Sequence, residues 1–261
     1  MSQSALAGKI ALVTGGGTGI GKAICRILAE HGARVATASR NLSHLQAAAE
    51  EFKSLGYASL PLQMDIRKKA EVQKGVAKVL ETWGPVDILV NNAGRSGQTR
   101  MDDEDDSRWT DILETNLTGI YLVTKEVLKS MRDRAGGRII NLSSVLGKFG
   151  VPGYTAYCAS KHGVIGFTRA LALEVAGRGI TVNAICPGWV DTEMARSGMR
   201  ESAAHQGISV EEFKRQALAA VPIQRYVDVA EVAHLVLYLV SDYAGAITGQ
   251  AINICGGQTM V

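Results

Sequence analysis

Residues 9–21 read KIALVTGGGTGIG, and this stretch decides the fold. A short apolar run leads directly into a glycine-rich turn, and a helical pattern follows from Gly19. Glycine allows the tight turn and lets another molecule approach the backbone closely. The free N–H groups and positive dipole end of a helix that starts here suit an anion such as a diphosphate. The stretch therefore predicts a strand, an anion-binding turn and a helix, in that order.

The alternation of short apolar runs with helical patterns continues to the end of the chain. The apolar runs are rich in Val and Ile, which is typical of parallel strands buried on both faces. The predicted strands are Lys9–Thr14, Arg34–Ala38, Ala58–Met64, Val86–Val90, Arg138–Leu142, Ile180–Ile185 and Ala251–Ile254. The predicted helices are Gly19–His31, Leu42–Leu55, Lys69–Trp83, Trp109–Arg134, Tyr157–Ala176 and Val229–Val240. This order predicts an α/β protein, a single domain over 1–261 with a seven-stranded, doubly wound parallel sheet.

One segment breaks the rhythm, and it runs over Asp191–Val221 between the sixth strand and the last helix. It is long, polar and helix-prone. An insertion at this point covers the carboxyl ends of the strands, where sheets of this type bind ligands. We expect the segment to form a small helical substrate lid.

Composition and charge exclude several classes of protein. The 261 residues carry a formal net charge of +3 without long basic runs, so nucleic acid is not an expected partner. The apolar stretch Leu235–Val240 is too short to span a bilayer, and the N-terminus lacks a signal-peptide pattern. The four cysteines lie far apart, so we expect free thiols, a cytoplasmic protein and no metal site. The acidic run Asp102–Asp106 is explained by a solvated helix start.

Four motifs coincide along the chain. They are Gly15-x-x-x-Gly19-x-Gly21, Asn91-Asn92-Ala93-Gly94, Tyr157-x-x-x-Lys161 and Pro187-Gly188. With these motifs in this order, the chain resembles the short-chain dehydrogenase/reductase family (SDR) over essentially its whole length. The resemblance implies a single-domain Rossmann fold and an oxidoreductase that uses a nicotinamide cofactor. Within the family, the chain is most similar to the β-ketoacyl-ACP reductases and to the ketoreductases of aromatic polyketide synthesis.

The end of the second strand indicates which cofactor is preferred. A carboxylate there would bind the ribose 2′-OH of NAD, whereas an arginine accommodates the 2′-phosphate of NADP. Residues 37–41 contain no acid and one arginine, Arg40, whose planar guanidinium suits a phosphate, so we expect NADP(H). With the positions that the resemblance adds, the predicted cofactor-binding residues are Gly15, Gly17, Thr18, Gly19, Ile20, Gly21, Ser39, Arg40, Asp65, Ile66, Asn92, Ala93, Gly94, Tyr157, Lys161, Pro187, Gly188, Val190 and Thr192.

Tyr157 and Lys161 are the expected catalytic pair. They lie four residues apart on a predicted helix, so both project from one face. A tyrosine with a pKa near ~10 exchanges protons poorly at neutral pH, and a nearby ammonium lowers that pKa. Ser144 ends the fifth strand, where its hydroxyl can hydrogen-bond a carbonyl oxygen. The resemblance adds Asn116, which would hold a water that links Lys161 to solvent.

The expected reaction is the NADPH-dependent reduction of a ketone to a secondary alcohol. Ser144 would polarise the ketone oxygen, and Tyr157 would protonate the developing alkoxide. By resemblance, the small-molecule substrate is a β-ketoacyl thioester or a polyketide-like carbonyl compound. Residues 96–100 depart from the polyketide pattern, which argues against a polycyclic polyketide substrate. Related secondary-alcohol and sugar dehydrogenases share much of this framework, so an NADP-dependent dehydrogenase of a cyclic, sugar or other secondary alcohol stays open. A non-catalytic NADP-binding sensor is a remote alternative, since such proteins typically lose the tyrosine or the lysine.

An acyl carrier protein is a possible partner, and an acidic carrier would need a basic rim on this chain. Four arginines are candidates for that rim, although ordinary solubilising charge explains them more simply: Arg132, Arg134, Arg138 and Arg178. The resemblance further implies a homotetramer, in which the helices Trp109–Arg134 and Tyr157–Ala176 pair with their copies. Small residues on the second of these helices would permit close approach, namely Ala159, Gly163, Gly166, Ala170 and Ala172.

Overall fold

The computed structural model describes residues 5–131 and 136–261 of the chain. Its strands are β1 (Ile10–Thr14), β2 (Arg34–Ser39), β3 (Ser59–Gln63), β4 (Ile88–Asn91), β5 (Gly137–Leu142), β6 (Ile180–Pro187) and β7 (Ala251–Ile254). They form one parallel sheet in the order β3-β2-β1-β4-β5-β6-β7. The predicted α/β fold with seven parallel strands is therefore confirmed, and the observed strands differ from the predicted ones only at their ends.

The order in which the chain adds strands to the sheet reverses between β1 and β4. The chain runs from β1 through β2 to the edge at β3, whereas β4 begins the half that ends with β7. Thr14 and Asn91 lie side by side at the carboxyl ends of the two central strands. Because the connections leave these two ends in opposite directions, a crevice opens there, and open α/β sheets bind their ligands in this crevice.

Helices cover both faces of the sheet, so the central strands β1 and β4 are fully buried, whereas the edge strands β3 and β7 keep partly exposed residues. The helices in the described ranges are α1 (Gly19–Glu30), α2 (Leu42–Ser54), α3 (Lys69–Trp83), α4 (Ser107–Leu113), α5 (Gly119–Met131), α6 (Thr155–Val175), α7 (Glu193–Gln206), α8 (Val210–Ala219) and α9 (Val229–Val240). On one face, Leu28 of α1 and Val236 of α9 belong to one buried cluster. On the other face, Val76 of α3, Val127 of α5 and Leu171 of α6 share a second cluster. Within these ranges, no helix is long and apolar enough to cross a membrane.

The predicted helix Trp109–Arg134 is wrong as one regular helix. The structure begins it at Ser107 and interrupts it with a π-helical turn over Glu114–Thr118, which separates α4 from α5. Arg134 lies outside the described residues. The turn is centred on Asn116, whose side chain bonds a distant loop instead of following the helix surface. Insertions of this kind occur often at functional sites.

The segment Asp191–Val221 forms the helix pair α7 and α8, as the sequence predicts for a helical insertion. Each helix starts at a side-chain cap: Thr192 Oγ1 accepts from the N–H of Ala195, and Ser209 Oγ accepts from the N–H of Glu212. The helix α7 is joined to the rest of the molecule by hydrogen bonds, one of which involves Ser202. The Tyr154 hydroxyl lies 2.9 Å from Ser202 Oγ. This contact places α7 over the carboxyl ends of the strands.

Candidate active site

A cavity of about 610 Å³ opens at the carboxyl ends of the strands, at the crevice between β1 and β4. This volume is within the usual range for small-molecule and cofactor sites. All of the predicted cofactor-binding residues line it, together with the predicted catalytic residue Ser144. Asn116 does not line the cavity and lies fully buried behind it. The structure therefore brings the two groups of predicted residues into one place.

The glycine-rich turn fits a bound diphosphate because its backbone is held open. A Cβ atom on Gly21 would lie 2.2 Å from the carbonyl oxygen of Gly15, so only glycine fits at this helix start. The Asn92 amide donates to the carbonyl oxygens of Thr14 and Gly15, at 3.0 and 3.1 Å. These bonds fix the turn after β1 against the loop after β4. The N-terminus of α1 thus faces the cavity with its backbone already in place, which suits an anion.

Arg40 lies at the end of β2, on the cavity wall and exposed to solvent. Among the described residues, none forms an ion pair with its guanidinium. An arginine that forms no ion pair on the wall of this crevice suits a phosphate group. The neighbouring Ser39 hydroxyl accepts from the N–H of Asn41 and also lines the cavity. These residues fit an NADP-type cofactor, whereas NAD would find no carboxylate at this position.

Asp65, one of the predicted cofactor-binding residues on the cavity wall, belongs to a network of ion pairs. Its carboxylate is held by Arg67, whose Nη2 lies 2.6 Å from Oδ2 and whose backbone N–H also donates to it. This pairing holds the pKa of Asp65 below its ordinary value. Arg67 also contacts Asp111 on α4, which in turn pairs with Arg95 at 2.8 Å. The part of the cavity wall around Asp65 is thereby connected to the loop that follows β4.

Lys161 is fixed at both its ammonium and its backbone. Its Nζ donates to the carbonyl oxygen of Leu142 at 2.7 Å, and its own carbonyl accepts from Ser143 Oγ at 2.9 Å. Burial lowers the pKa of Lys161 to about 8. The Nζ lies 5.6 Å from the centre of the Tyr157 ring. Ser143 therefore orients the lysine and leaves the neighbouring Ser144 to face the cavity.

The pKa of Tyr157 is raised, whereas the sequence predicts that it is lowered. Burial raises the pKa of this phenol to about 12, and the hydrogen bond with Ser144 offsets only part of that effect. Lys161 was expected to lower this pKa, but removal of the ring from water is the larger effect here. The phenol consequently keeps its proton at neutral pH, which is the form that a general acid requires.

Asn116 binds the backbone of Arg95 through both ends of its side-chain amide. Its Oδ1 accepts from the N–H of Arg95 at 2.7 Å, and its Nδ2 donates to the carbonyl oxygen of the same residue at 2.8 Å. A further bond joins Nδ2 to Ser160 Oγ at 3.0 Å. The side chain thus ties the loop after β4 to helix α6, close to Lys161. Its predicted link to a water stays a prediction.

The sequence did not predict most of the residues that line the cavity on the side of the lid. Trp189 and Phe213 meet edge to face with ring centres 6.4 Å apart, and Met194 of α7 lies beside them on the cavity wall. Tyr154 also lies on this wall. These side chains come from separate segments, so no motif groups them. A large aromatic residue directly after Pro187-Gly188 was the one available signal.

Comparison with known proteins identifies the family. The profile of the short chain dehydrogenase family matches residues 9–203. The chain belongs to this family. It is 47% identical over 251 residues to a putative ketoacyl reductase of Streptomyces coelicolor, covering 95% of this chain and 96% of the relative. It is 39% identical over 254 residues to the 3-oxoacyl-acyl-carrier-protein reductase of Escherichia coli, covering 97% and 98%.

The solved structures agree with the sequence relatives. A crystal structure of a variant of actinorhodin polyketide ketoreductase with NADPH superposes with a TM-score of 0.93 and 47% identity. The match covers 96% of this chain and 97% of that one. The predicted family and the predicted Rossmann fold are confirmed, and the chain is an oxidoreductase of the short-chain dehydrogenase family.

Proposed function

We propose that the protein reduces a ketone of a β-ketoacyl thioester or polyketide-like substrate to a secondary alcohol, with NADPH as cofactor. One observation carries the proposal: the protonated Tyr157, Ser144 and Lys161 share a cavity with the glycine-rich turn and the unpaired Arg40. The names of the relatives support ketone reduction as the type of reaction. The NADPH present in the actinorhodin ketoreductase structure supports the cofactor that Arg40 predicts.

Bound NADPH supplies a hydride to the ketone carbon. The residues of the chain handle the oxygen and the proton. Ser144 Oγ donates a hydrogen bond to the ketone oxygen and holds it beside Tyr157. Tyr157 Oη, which keeps its proton because of burial, gives that proton to the alkoxide as negative charge develops. A hydride and a proton are thereby added across the C=O bond, and Tyr157 is left as a phenolate that must be protonated again.

Lys161 and Asn116 support these steps. The ammonium of Lys161, within 5.6 Å of the Tyr157 ring, stabilises the phenolate left after proton transfer. The same ammonium is placed to bind the nicotinamide ribose. Asn116 acts as a positioning residue, since its bonds to Arg95 and Ser160 fix the two segments that flank the lysine. In this proposal its π-helical turn also gives access to the water that returns a proton.

The alternative function, oxidation of an alcohol, requires the deprotonated form of Tyr157. A dehydrogenase that removes a proton from an alcohol needs the phenolate, and burial disfavours the phenolate at neutral pH. The names of the relatives, ketoacyl reductase and 3-oxoacyl-acyl-carrier-protein reductase, also support reduction over oxidation. A non-catalytic sensor would have no use for a buried acid that is hydrogen-bonded to Ser144.

The remaining predictions concern partners and location. We propose a homotetramer in the cytoplasm; all four cysteines, each within the described ranges, are buried free thiols, which suits a reducing compartment. An acyl carrier protein stays a predicted partner. Of the arginines expected to bind it, Arg132 and Arg134 lie outside the described residues, and Arg138 is largely covered beside Asp242.

The proposed reaction can be followed by the loss of NADPH absorbance. The purified protein is given a short β-ketoacyl thioester or a bulky cyclic ketone, each with NADPH and again with NADH. We expect turnover of the thioester with NADPH, and none with a Tyr157→Phe variant that still binds NADPH. Unchanged turnover by Tyr157→Phe would refute the assigned acid, and equal use of NADH would refute the role of Arg40.

A further inference from the structure

The motif Cys255-Gly256-Gly257 forms a turn that only glycine can make. Both glycines have left-handed backbone angles, with φ of 62° and 87°. A Cβ atom on Gly256 would lie 2.3 Å from a side-chain carbon of Ile223, and one on Gly257 would lie 2.9 Å from Pro222. The turn therefore packs its bare backbone against the segment that ends the lid. This packing determines where the next residue, Gln258, is placed.

Gln258 is held by bonds on both sides of it. Its N–H donates to the carbonyl oxygen of Cys255 at 3.2 Å, and the N–H of Ile223 donates to the carbonyl oxygen of Gly256 at 3.2 Å. On the other side, Asn253 Nδ2 donates to the carbonyl oxygen of Thr259 at 3.2 Å. Gln258 is consequently fixed on the cavity wall by its backbone, and its side chain is not needed for that placement.

The side-chain amide of Gln258 lies against the cofactor-binding strand end without a partner. A Cβ atom on Gly188 would be 2.9 Å from Oε1 of Gln258, so the amide and the Gly188 backbone are in contact. Oε1 is buried, and neither amide atom forms a hydrogen bond to any described residue. Because Oε1 is turned to Gly188, the Nε2–H donors of the same amide point away from that backbone and are available to a ligand.

The surroundings of this amide make it suitable for a ligand. The lid side of the same cavity carries three large apolar side chains, Trp189, Met194 and Phe213, next to charged residues at the start of α7. Two other polar side chains of this wall, Tyr154 and Ser202, already bind each other at 2.9 Å. The Gln258 amide, in contrast, retains both its donor and its acceptor capacity. A polar group that enters this apolar part of the cavity loses water and gains most from such a partner.

We propose that Gln258 is a substrate-binding residue that determines specificity, and that its Nε2–H donates a hydrogen bond to the second carbonyl of a β-dicarbonyl substrate. This inference rests on the proposed function. Ser144 and Tyr157 serve the ketone that is reduced, and a β-ketoacyl thioester carries another carbonyl two carbons away. That second oxygen needs its own donor once it is desolvated, whereas a simple monoketone has no such oxygen.

The test compares Gln258→Met with Gln250→Met. Methionine keeps the length of the side chain and removes the amide, and Gln250 is an exposed glutamine near the same strand and outside the cavity wall. The substrates are an acetoacetyl thioester and a cyclic monoketone such as decalone. For Gln258→Met we expect kcat/KM to fall about tenfold for the thioester, equivalent to ~1.4 kcal/mol. For the monoketone we expect kcat/KM to stay within about twofold of the wild-type value, because this substrate lacks the second carbonyl that the amide would bind.

Controls separate substrate binding from other roles. The thermal midpoint and the Kd for NADPH should match between Gln258→Met, Gln250→Met and the wild type. Equal losses for both substrates, or weaker NADPH binding, would overturn the inference in favour of a structural or cofactor role. An unchanged kcat/KM for the thioester would overturn it as well.

A binding measurement distinguishes failure of this inference from failure of the proposed function. The Kd of a 3-hydroxybutyryl thioester, the expected product, is measured by calorimetry on the NADP⁺-saturated protein and needs no turnover. If the wild type reduces neither ketone but binds this thioester, and Gln258→Met alone weakens the binding, the proposed reaction is wrong and the Gln258 contact stands. If the wild type does not bind the thioester, both are wrong.

Discussion

At the scale of single residues, burial sets the protonation of the catalytic pair. Removal from water favours the neutral form of any titratable group, so it raises the pKa of Tyr157 to about 12 and lowers that of Lys161 to about 8. The pKa of the tyrosine therefore rises, whereas that of the lysine falls. Over neutral pH the tyrosine holds its proton and the lysine keeps its charge, which is the combination that ketone reduction needs.

The pH dependence of reduction follows from these two directions. Below pH 8, Lys161 is charged and Tyr157 is protonated, so kcat/KM should be highest there. As pH rises through about 8, Lys161 loses its proton and kcat/KM should fall, well before Tyr157 ionises. A profile of kcat/KM between pH 6 and 10 measures this. In Lys161→Arg, whose guanidinium stays charged, the fall near pH 8 should disappear. A fall at the same pH in that variant would assign it to another group.

Arg40 should decide between the two nicotinamide cofactors. Charge-assisted hydrogen bonds are worth about 1.5–3 kcal/mol, so Arg40→Gln should weaken NADPH binding by roughly 10- to 100-fold. NADH lacks the 2′-phosphate, so its Kd should change little. Arg34→Gln, an exposed arginine at the opposite end of β2, is the matched control. Fluorescence titration with both cofactors measures the effect, and parallel losses for NADPH and NADH would contradict it.

At the scale of elements, the sequence predicts most reliably the features that are formed by residues adjacent in the chain. The glycine-rich turn is formed by adjacent residues, so a local pattern in residues 15–21 was sufficient to place it on the cavity wall. The helix Trp109–Arg134 was predicted wrongly because its interruption depends on a contact between Asn116 and Arg95, which lie far apart in sequence. Gln258 was missed for the same reason, since it meets Gly188 only in the folded chain.

Gly21 provides a test of the turn as an element. Alanine favours helix by about 1 kcal/mol over glycine, but its Cβ would lie 2.2 Å from the Gly15 carbonyl oxygen, a backbone atom with little room to move. Overpacking of this kind costs roughly 1–3 kcal/mol. We expect Gly21→Ala to lower the thermal midpoint and to abolish NADPH binding. Gly150→Ala, where a Cβ meets nothing within 4 Å, should change neither. Normal NADPH affinity in Gly21→Ala would show that the turn tolerates displacement.

At the scale of the whole molecule, the cavity joins the two halves of the sheet. Its wall takes residues from the ends of β1 and β2 on one side and from those of β5 and β6 on the other. A ligand that binds there contacts both halves, so it stabilises the folded chain as a unit by RT ln(1 + [L]/Kd). The lid helices α7 and α8 close over the same ends. Trp189 and Phe213, which the central motifs do not contain, lie on the cavity wall at this end.

The surface of α6 provides the test of the predicted tetramer. Of its small residues, Ala172 is buried in the core and Gly163 faces Leu117 of the same chain, so these two do not serve a partner. Gly166 faces outward, and a Cβ atom at this position would meet nothing within 4 Å. Leu173 on the same helix is 85% exposed.

A leucine at position 166 has room in the single chain but would block close approach of a second helix. We therefore expect Gly166→Leu to keep its helical circular dichroism and to dissociate the tetramer, measured by light scattering after gel filtration. Gly150→Leu, on an open loop, should leave the assembly unchanged. A tetrameric Gly166→Leu would mean that this part of α6 is not an interface, and the exposed Leu173 would then need another explanation.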